Sequence, residues 1–122
     1  MSRKFDLEDR LIDFADVIIN LTEQLPSQSK AANHLGGQIL RSGTAPALYY
    51  GEAQAAESNA DFIHKTRIIL KELRETNICN KLIQKRNFVK PDFIAKILQE
   101  NKELVAIFTA SIRTATQNKG AK

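Results

Sequence analysis

Cysteine and histidine are scarce in this chain, and their scarcity removes whole classes of chemistry. The single cysteine, Cys79, has no partner for an intramolecular disulfide and no neighbouring Cys or His to complete a zinc site. It reads as a small apolar residue, buried or half-buried. The only histidines are His34 and His64, which leaves few groups for proton transfer. No Gly-x-x-x-x-Gly-Lys-Ser/Thr loop, His-Glu-x-x-His pair or Gly-x-Ser-x-Gly elbow is present, so the chain is expected to be no enzyme and to need no cofactor. No apolar run approaches the roughly 20 residues of a membrane span, and Asp6, Glu8 and Asp9 stand where a signal peptide needs an apolar stretch. A cytoplasmic protein with no membrane contact is expected. There is no strand-like alternation and no repeat with a period of about 20 to 50 residues, which argues against a sheet or a solenoid.

What is present fits one small helical domain. The 122 residues are 43% hydrophobic and 26% charged, the composition of an ordinary globular domain and too short for two cores of normal size. The net charge is +4, but its distribution says more than its total. From Asp6 to Leu25 six acidic residues face the single Arg10, a net of −5. From Phe62 to Lys96 nine basic residues face three acidic ones, a net of +6. The molecule is strongly dipolar along its sequence.

The apolar spacing predicts four helices, over residues 6–25, 29–57, 59–84 and 91–116, with a frayed tail over 117–122, in a single domain 1–122. Leu7, Leu11, Phe14, Ile18, Leu21 and Leu25 alternate steps of four and three, the seam of a packing helix, with Asp6 as its cap. Pro26 ends it and Ser29 opens the second helix, whose seam is Leu35, Ile39, Ser42, Pro46, Tyr49, Ala53 and Ala56. Gly36, Gly37, Gly43 and Gly51 crowd that helix. Close approach by a neighbouring helix is the expected reason. Pro46 is expected to bend the helix near Ser42 without breaking it.

Ser58 and Asp61 resemble a capping box for the third helix, whose core face is Phe62, Thr66, Ile69, Leu73, Thr76, Asn80 and Ile83. Pro91 and Asp92 suit the first turn of the fourth, which buries Ile94, Ile97, Leu98, Leu104, Val105, Phe108 and Ile112. Short connections make successive helices antiparallel neighbours: an all-α, up-and-down antiparallel four-helix bundle.

Three features of this pattern bear on function. On a helical wheel Arg67, Lys71, Arg74, Lys81 and Lys85 share an arc of roughly 80°, a stripe about 27 Å long. The stripe reads either as a solvated bundle face or as a nucleic-acid surface; with few aromatics nearby, any binding would be backbone-directed, salt-sensitive and poorly sequence-specific. Tyr49 and Tyr50 are expected to pack rather than stack on bases. Ile63 and Ile78 beside the stripe, and Ile12 and Ile19 on the acidic first helix, look like spare apolar surface for a subunit interface. Arg41, Glu52, Glu72 and Glu75 are expected to form a partly buried ionic network that sets helix register. Asp61 and His64 make a lone acidic-x-x-His pair, where a di-metal bundle needs two Glu-x-x-His pairs, so no metal is expected.

The run from Gln38 through Arg41, Glu52 and Ala53, with Asp61-Phe62 and Lys71-Glu72-Leu73-Arg74-Glu75 after it, resembles the bacterial four-helix-bundle family of proteins encoded in 23S rRNA intervening sequences. The likeness extends over about residues 5–115. Gln38, Arg41, Glu52, Phe62, Glu72 and Glu75 match the family's residue types, whereas Ala45 stands where Ser is usual, Tyr49 where Asn is usual and Ala53 where Gly is frequent. The accessory protein of diversity-generating retroelements is similar. That resemblance implies a homo-oligomeric ring, a pentamer in form, with a basic surface for RNA or DNA and a reverse transcriptase or other protein as partner. The expectation is a non-enzymatic nucleic-acid-binding oligomer; the alternative is a protein-interaction scaffold or accessory subunit that binds no nucleic acid.

Overall fold

The structure, a computed structural model, describes residues 6–120, with side chains through residue 118. Four helices, α1 (Leu7–Gln24), α2 (Lys30–Gln54), α3 (Asn59–Lys85) and α4 (Pro91–Gly120), carry the regular structure of the described residues, which include no strand. Each helix packs on its sequence neighbour, α4 closes back on α1 more sparsely, and the backbones of the diagonal pairs stay apart, so that those helices meet only through core side chains. The chain is an all-α antiparallel four-helix bundle.

Local chemistry sets the helix ends. Asp6, Ser29 and Ser58 each accept a hydrogen bond from the backbone N–H three residues on, at 3.1, 3.1 and 3.0 Å; such caps are worth about 1 kcal/mol apiece. The Ser58 cap departs from the expected box, because the Asp61 carboxylate accepts from Glu57 N–H at 3.3 Å instead of reaching Ser58. Ser58 must be extended to cap α3 (φ −151°, ψ 165°), so α2 stops at Gln54 and does not reach residue 57. At the other end of α3, Asn87 adopts a left-handed backbone (φ 56°). Phe88 N–H then bonds Ile83 C=O at 3.2 Å and Asn87 N–H bonds Gln84 C=O at 3.0 Å, the Schellman closure, with Asn in the place glycine usually takes.

The core is continuous from Leu11, Phe14, Ile18 and Leu21 of α1 through Ile39, Ile69, Leu73 and Ile83 to Ile94, Leu104 and Phe108 of α4. Burying side chains of this size contributes about 1.5–3 kcal/mol each. α4 continues past residue 116 to Gly120. Its last turns are tied down: Ala115 is buried and its carbonyl accepts from the Asn59 side-chain amide at 2.8 Å. Residues 121–122 of the expected frayed tail lie outside the described residues.

One seam position and one surface position differ from expectation. Tyr49 is exposed, whereas Ala45, one turn before it, is buried. Tyr50 turns inward instead, its ring edge-on to Phe108 at 6.3 Å between centroids. Ile63, expected beside the basic stripe, is buried; it lies two turns before Leu70 on the side of α3 that faces α4. Ile78 is 56% exposed, and Ile12 and Ile19 are exposed on α1.

The glycines of α2 also divide. A Cβ on Gly43 would come within 2.8 Å of Ile18 Cγ2, and one on Gly36 within 3.1 Å of Leu25 Cδ1, whereas nothing lies within 4 Å of Gly37 or Gly51. Close helix approach therefore accounts for Gly43 and Gly36 only. α2 runs unbroken across buried Pro46, and the hydroxyls of Ser42 and Thr76 meet at 2.9 Å beside it.

Two polar ties hold the register. Asn80 and Asn101 are fully buried; Asn80 Nδ2 donates to Asn101 Oδ1 and Asn101 Nδ2 donates to Leu73 C=O, both at 3.0 Å. On the sparse α1–α4 side, Arg10 bonds both Glu100 carboxylate oxygens and Glu103, each at 2.7 Å. The Glu100 bonds, before the Glu103 ones, raise the Arg10 pKa above its ordinary value.

Candidate nucleic-acid interface

The strongest charged feature is the solvent face of α3. That helix exposes Arg67, Lys71, Arg74, Lys81 and Lys85 because its apolar residues, from Thr66 to Ile83, turn the opposite side into the core. Of the five, Lys71 alone has a carboxylate within 4 Å among the described residues, Glu72 at 3.8 Å. The other four form no ion pair with any described residue. Ile78 and Leu82, 56% and 43% exposed, interrupt the charges with apolar surface.

The ionic network is smaller than the sequence implies. Glu72 is buried and accepts from Arg41 Nη1 at 2.9 Å, and Glu75 takes the other end of the same guanidinium. Glu72 first and Glu75 after it raise the Arg41 pKa above its ordinary value. Glu52 does not join. It is exposed, forms no ion pair among the described residues, and lines a depression between α2 and α3 with Tyr49, Lys65 and Lys71. The reason is register: Glu52 stands three turns further along α2 than Arg41, level with the first half of α3. With Glu72 buried under Arg41, the network bridges α2 to α3 and holds the basic face in place.

Asp61 pairs with Lys65 at 3.2 Å, and that bond, ahead of the one from Glu57 N–H, pulls its pKa below the ordinary value. His64 is exposed. Among the described residues no group of three or more His, Cys, Asp or Glu side chains is placed to hold a metal ion. Cys79 is buried, and desolvation pushes its thiol pKa up. Among the described residues no helix is long and apolar enough to cross a membrane.

One residue beside the stripe was not legible in the sequence. Lys102, on α4, faces Arg74 and Lys81 of α3 across a shared groove. Nothing in its local sequence marks it, because only the packing of α4 on α3 brings it there. The groove holds about 610 Å3, with Ala95, Leu98 and Val105 among its lining.

No curated protein matches the chain. Among solved structures, it is similar to a protein of unknown function from the S23 ribosomal protein family of Bacteroides thetaiotaomicron, at 31% identity and a TM-score of 0.80, with 88% of this chain and 98% of that one covered. The family model described as 23S rRNA-intervening sequence protein matches residues 3–110. By that match, which spans most of its length, the chain belongs to the 23S rRNA-intervening sequence protein family.

Proposed function

We propose that the chain works as a non-enzymatic, homo-oligomeric bundle that binds RNA or DNA backbones through α3 with little sequence preference. One observation carries the reading: Arg67, Arg74, Lys81 and Lys85 are exposed and free of ion pairs with any described residue. Their charges are available to phosphates, and neutralising each phosphate releases bound counterions. No aromatic side chain stands among them to stack on bases, so contacts go to the backbone and carry little sequence information. Oligomerisation would cover the apolar side chains left in solvent on α1 and α3, in a closed ring such as a pentamer.

The double charge reversal Arg67→Glu with Lys71→Glu tests this reading. The expected result is weaker binding to every sequence tried, with the helical circular dichroism unchanged. Unchanged affinity removes α3 from the argument.

A second reading has an observation of its own. Ile12 and Ile19 are 48% and 40% exposed on an acidic helix, and Ile78 and Leu82 are exposed on a basic one. α1 of one subunit then pairs with α3 of another, and the charges are consumed inside a scaffold that binds no nucleic acid. Light scattering coupled to size exclusion, at low and moderate salt and with or without mixed RNA and DNA, separates the two. A scaffold loosens as salt rises and ignores nucleic acid; a nucleic-acid binder shifts with it and releases it as salt rises.

A further inference from the structure

The cations of α3 do not all lie on a convex ridge. Arg74 and Lys81 stand on one lip of the α3–α4 groove, Lys102 stands on the other, and Ala95, Leu98 and Val105 line it with aliphatic surface. A second depression of about 390 Å3 continues along the same helix pair, where Arg67, Lys71 and Arg74 stand over Leu70 and Ile112. Arg74 borders both, so the two depressions adjoin end to end along the α3–α4 seam and make up its channel. No acidic side chain lines either part.

We infer that this channel, with cations on both lips, seats a single polynucleotide strand, RNA or DNA. The inference rests on the nucleic-acid reading above and adds the form of the ligand and the second wall of its site. Two packed helices lie about 8–10 Å apart. The major groove of a duplex alone is about 12 Å wide, so a duplex can only rest across the lips, where Lys102 and the aliphatic floor add little. A single strand fits inside. Its phosphates meet Arg74 and Lys81 on one side and Lys102 on the other, and its sugars and base faces cover the aliphatic floor.

Asn77, Gln84 and Gln99 also line the channel. The carboxamides of Asn77 and Gln84 both donate and accept, so they can pair with the edge of any base, whereas Gln99 Nε2 already donates to Glu103 at 2.8 Å; the two open amides favour tolerance over sequence readout. From Arg67 to Lys81 the cations span fourteen residues of helix, about 21 Å at roughly 1.5 Å per residue. That length covers about six nucleotides at roughly 3.4 Å per stacked nucleotide.

Fluorescence anisotropy on the full chain tests the assignment, with a labelled single strand of about twelve nucleotides, as RNA and as DNA, and the matching duplex of each. Lys102→Gln is compared with Lys30→Gln, an exposed cation at the start of α2 that lines neither depression. The expected result is tighter binding of the single strand, weakened several-fold by Lys102→Gln, with the log–log salt slope reduced by about 0.7 for the one lost phosphate contact. Lys30→Gln leaves both unchanged. Binding of either sugar type in this pattern supports the channel, and a difference between RNA and DNA identifies the strand it takes. A duplex that binds as tightly as the single strand overturns the inference. So does a Lys102→Gln protein with full affinity when the Arg67/Lys71 reversal has lost it, and in that case binding by α3 itself still stands. Full affinity in the Arg67/Lys71 reversal removes both.

Discussion

Gly43→Ala should be destabilising although alanine is the better helix former, and the reason lies in one neighbour. A methyl group at position 43 would sit 2.8 Å from Ile18 Cγ2, 2.9 Å from Cγ1 and 3.2 Å from Cβ. These atoms belong to the branched root of the side chain, which a rotamer change cannot withdraw, because both branches stay fixed at Cβ. Relief requires α1 and α2 to move apart. Overpacking of this kind costs about 1–3 kcal/mol, and with three contacts inside van der Waals range the upper part of that span applies. Replacing a helical glycine returns about 0.8–1 kcal/mol, so the net loss is about 1–2 kcal/mol.

Gly37→Ala and Gly51→Ala meet nothing within 4 Å and should gain the propensity term alone, about 0.8–1 kcal/mol each. For a domain of this size 1 kcal/mol moves the melting temperature by about 4 °C, so Gly43→Ala and Gly51→Ala should melt on opposite sides of the wild type. Urea and thermal unfolding followed by circular dichroism measure the difference. Ile18→Ala removes the two closest atoms, and in that background Gly43→Ala should become neutral or stabilising; Ile18→Val keeps the branch and should give no relief. If Gly43→Ala proves as stable as Gly51→Ala, the account of the α1–α2 contact is wrong.

Two further outcomes follow from the polar ties. Asn101→Leu orphans the buried Asn80 amide and removes the second hydrogen bond from the Leu73 carbonyl, which keeps its partner within α3; at about 1–3 kcal/mol for the one orphaned group, a loss of about 1–3 kcal/mol in urea unfolding is expected. The double change Asn80→Leu with Asn101→Leu should cost less than the sum of the two single changes, and strict additivity would contradict a coupled pair. In the α1–α4 clip, the bond from Gln99 and then the one from Arg10 hold the Glu103 pKa below its ordinary 4.5. A lowered carboxylate pKa adds stability above the unfolded value and loses it as the pH falls through the folded one. The stability difference between wild type and Glu103→Gln should therefore be constant above about pH 4.5 and shrink in acid; a difference that grows in acid would reverse the assignment.

How much was legible in the sequence depended on the range of the interaction. The helices, their caps at Asp6, Ser29 and Ser58, and the antiparallel order are written in local spacing, turn chemistry and short connections, which act within a few residues. The exposure of the α3 cations followed from the same periodicity, because the core face of a helix dictates its solvent face. Other features required knowing which helix lies opposite. Two glycines in the same helix look alike in sequence, yet Gly43 touches Ile18 while Gly51 faces open space. Ile63 and Ile78 both fall near the basic stripe on a wheel, but α4 covers the side of α3 on which Ile63 lies and leaves Ile78 exposed. Glu52 has the charge for the Arg41 network but the wrong height along α2.

The sequence by itself determined four amphipathic helices and a charge dipole, since both are sums over residues close together in the chain. Only the tertiary structure decided which of those charges stand together. Arg10, the one cation of an acidic helix, is taken up by Glu100 and Glu103, ninety residues away and more. Lys102, unremarked in α4, completes a basic channel with Arg74 and Lys81. Electrostatic and packing energies depend on distance in space, and in an antiparallel bundle residues far apart in the chain become the nearest neighbours across a groove.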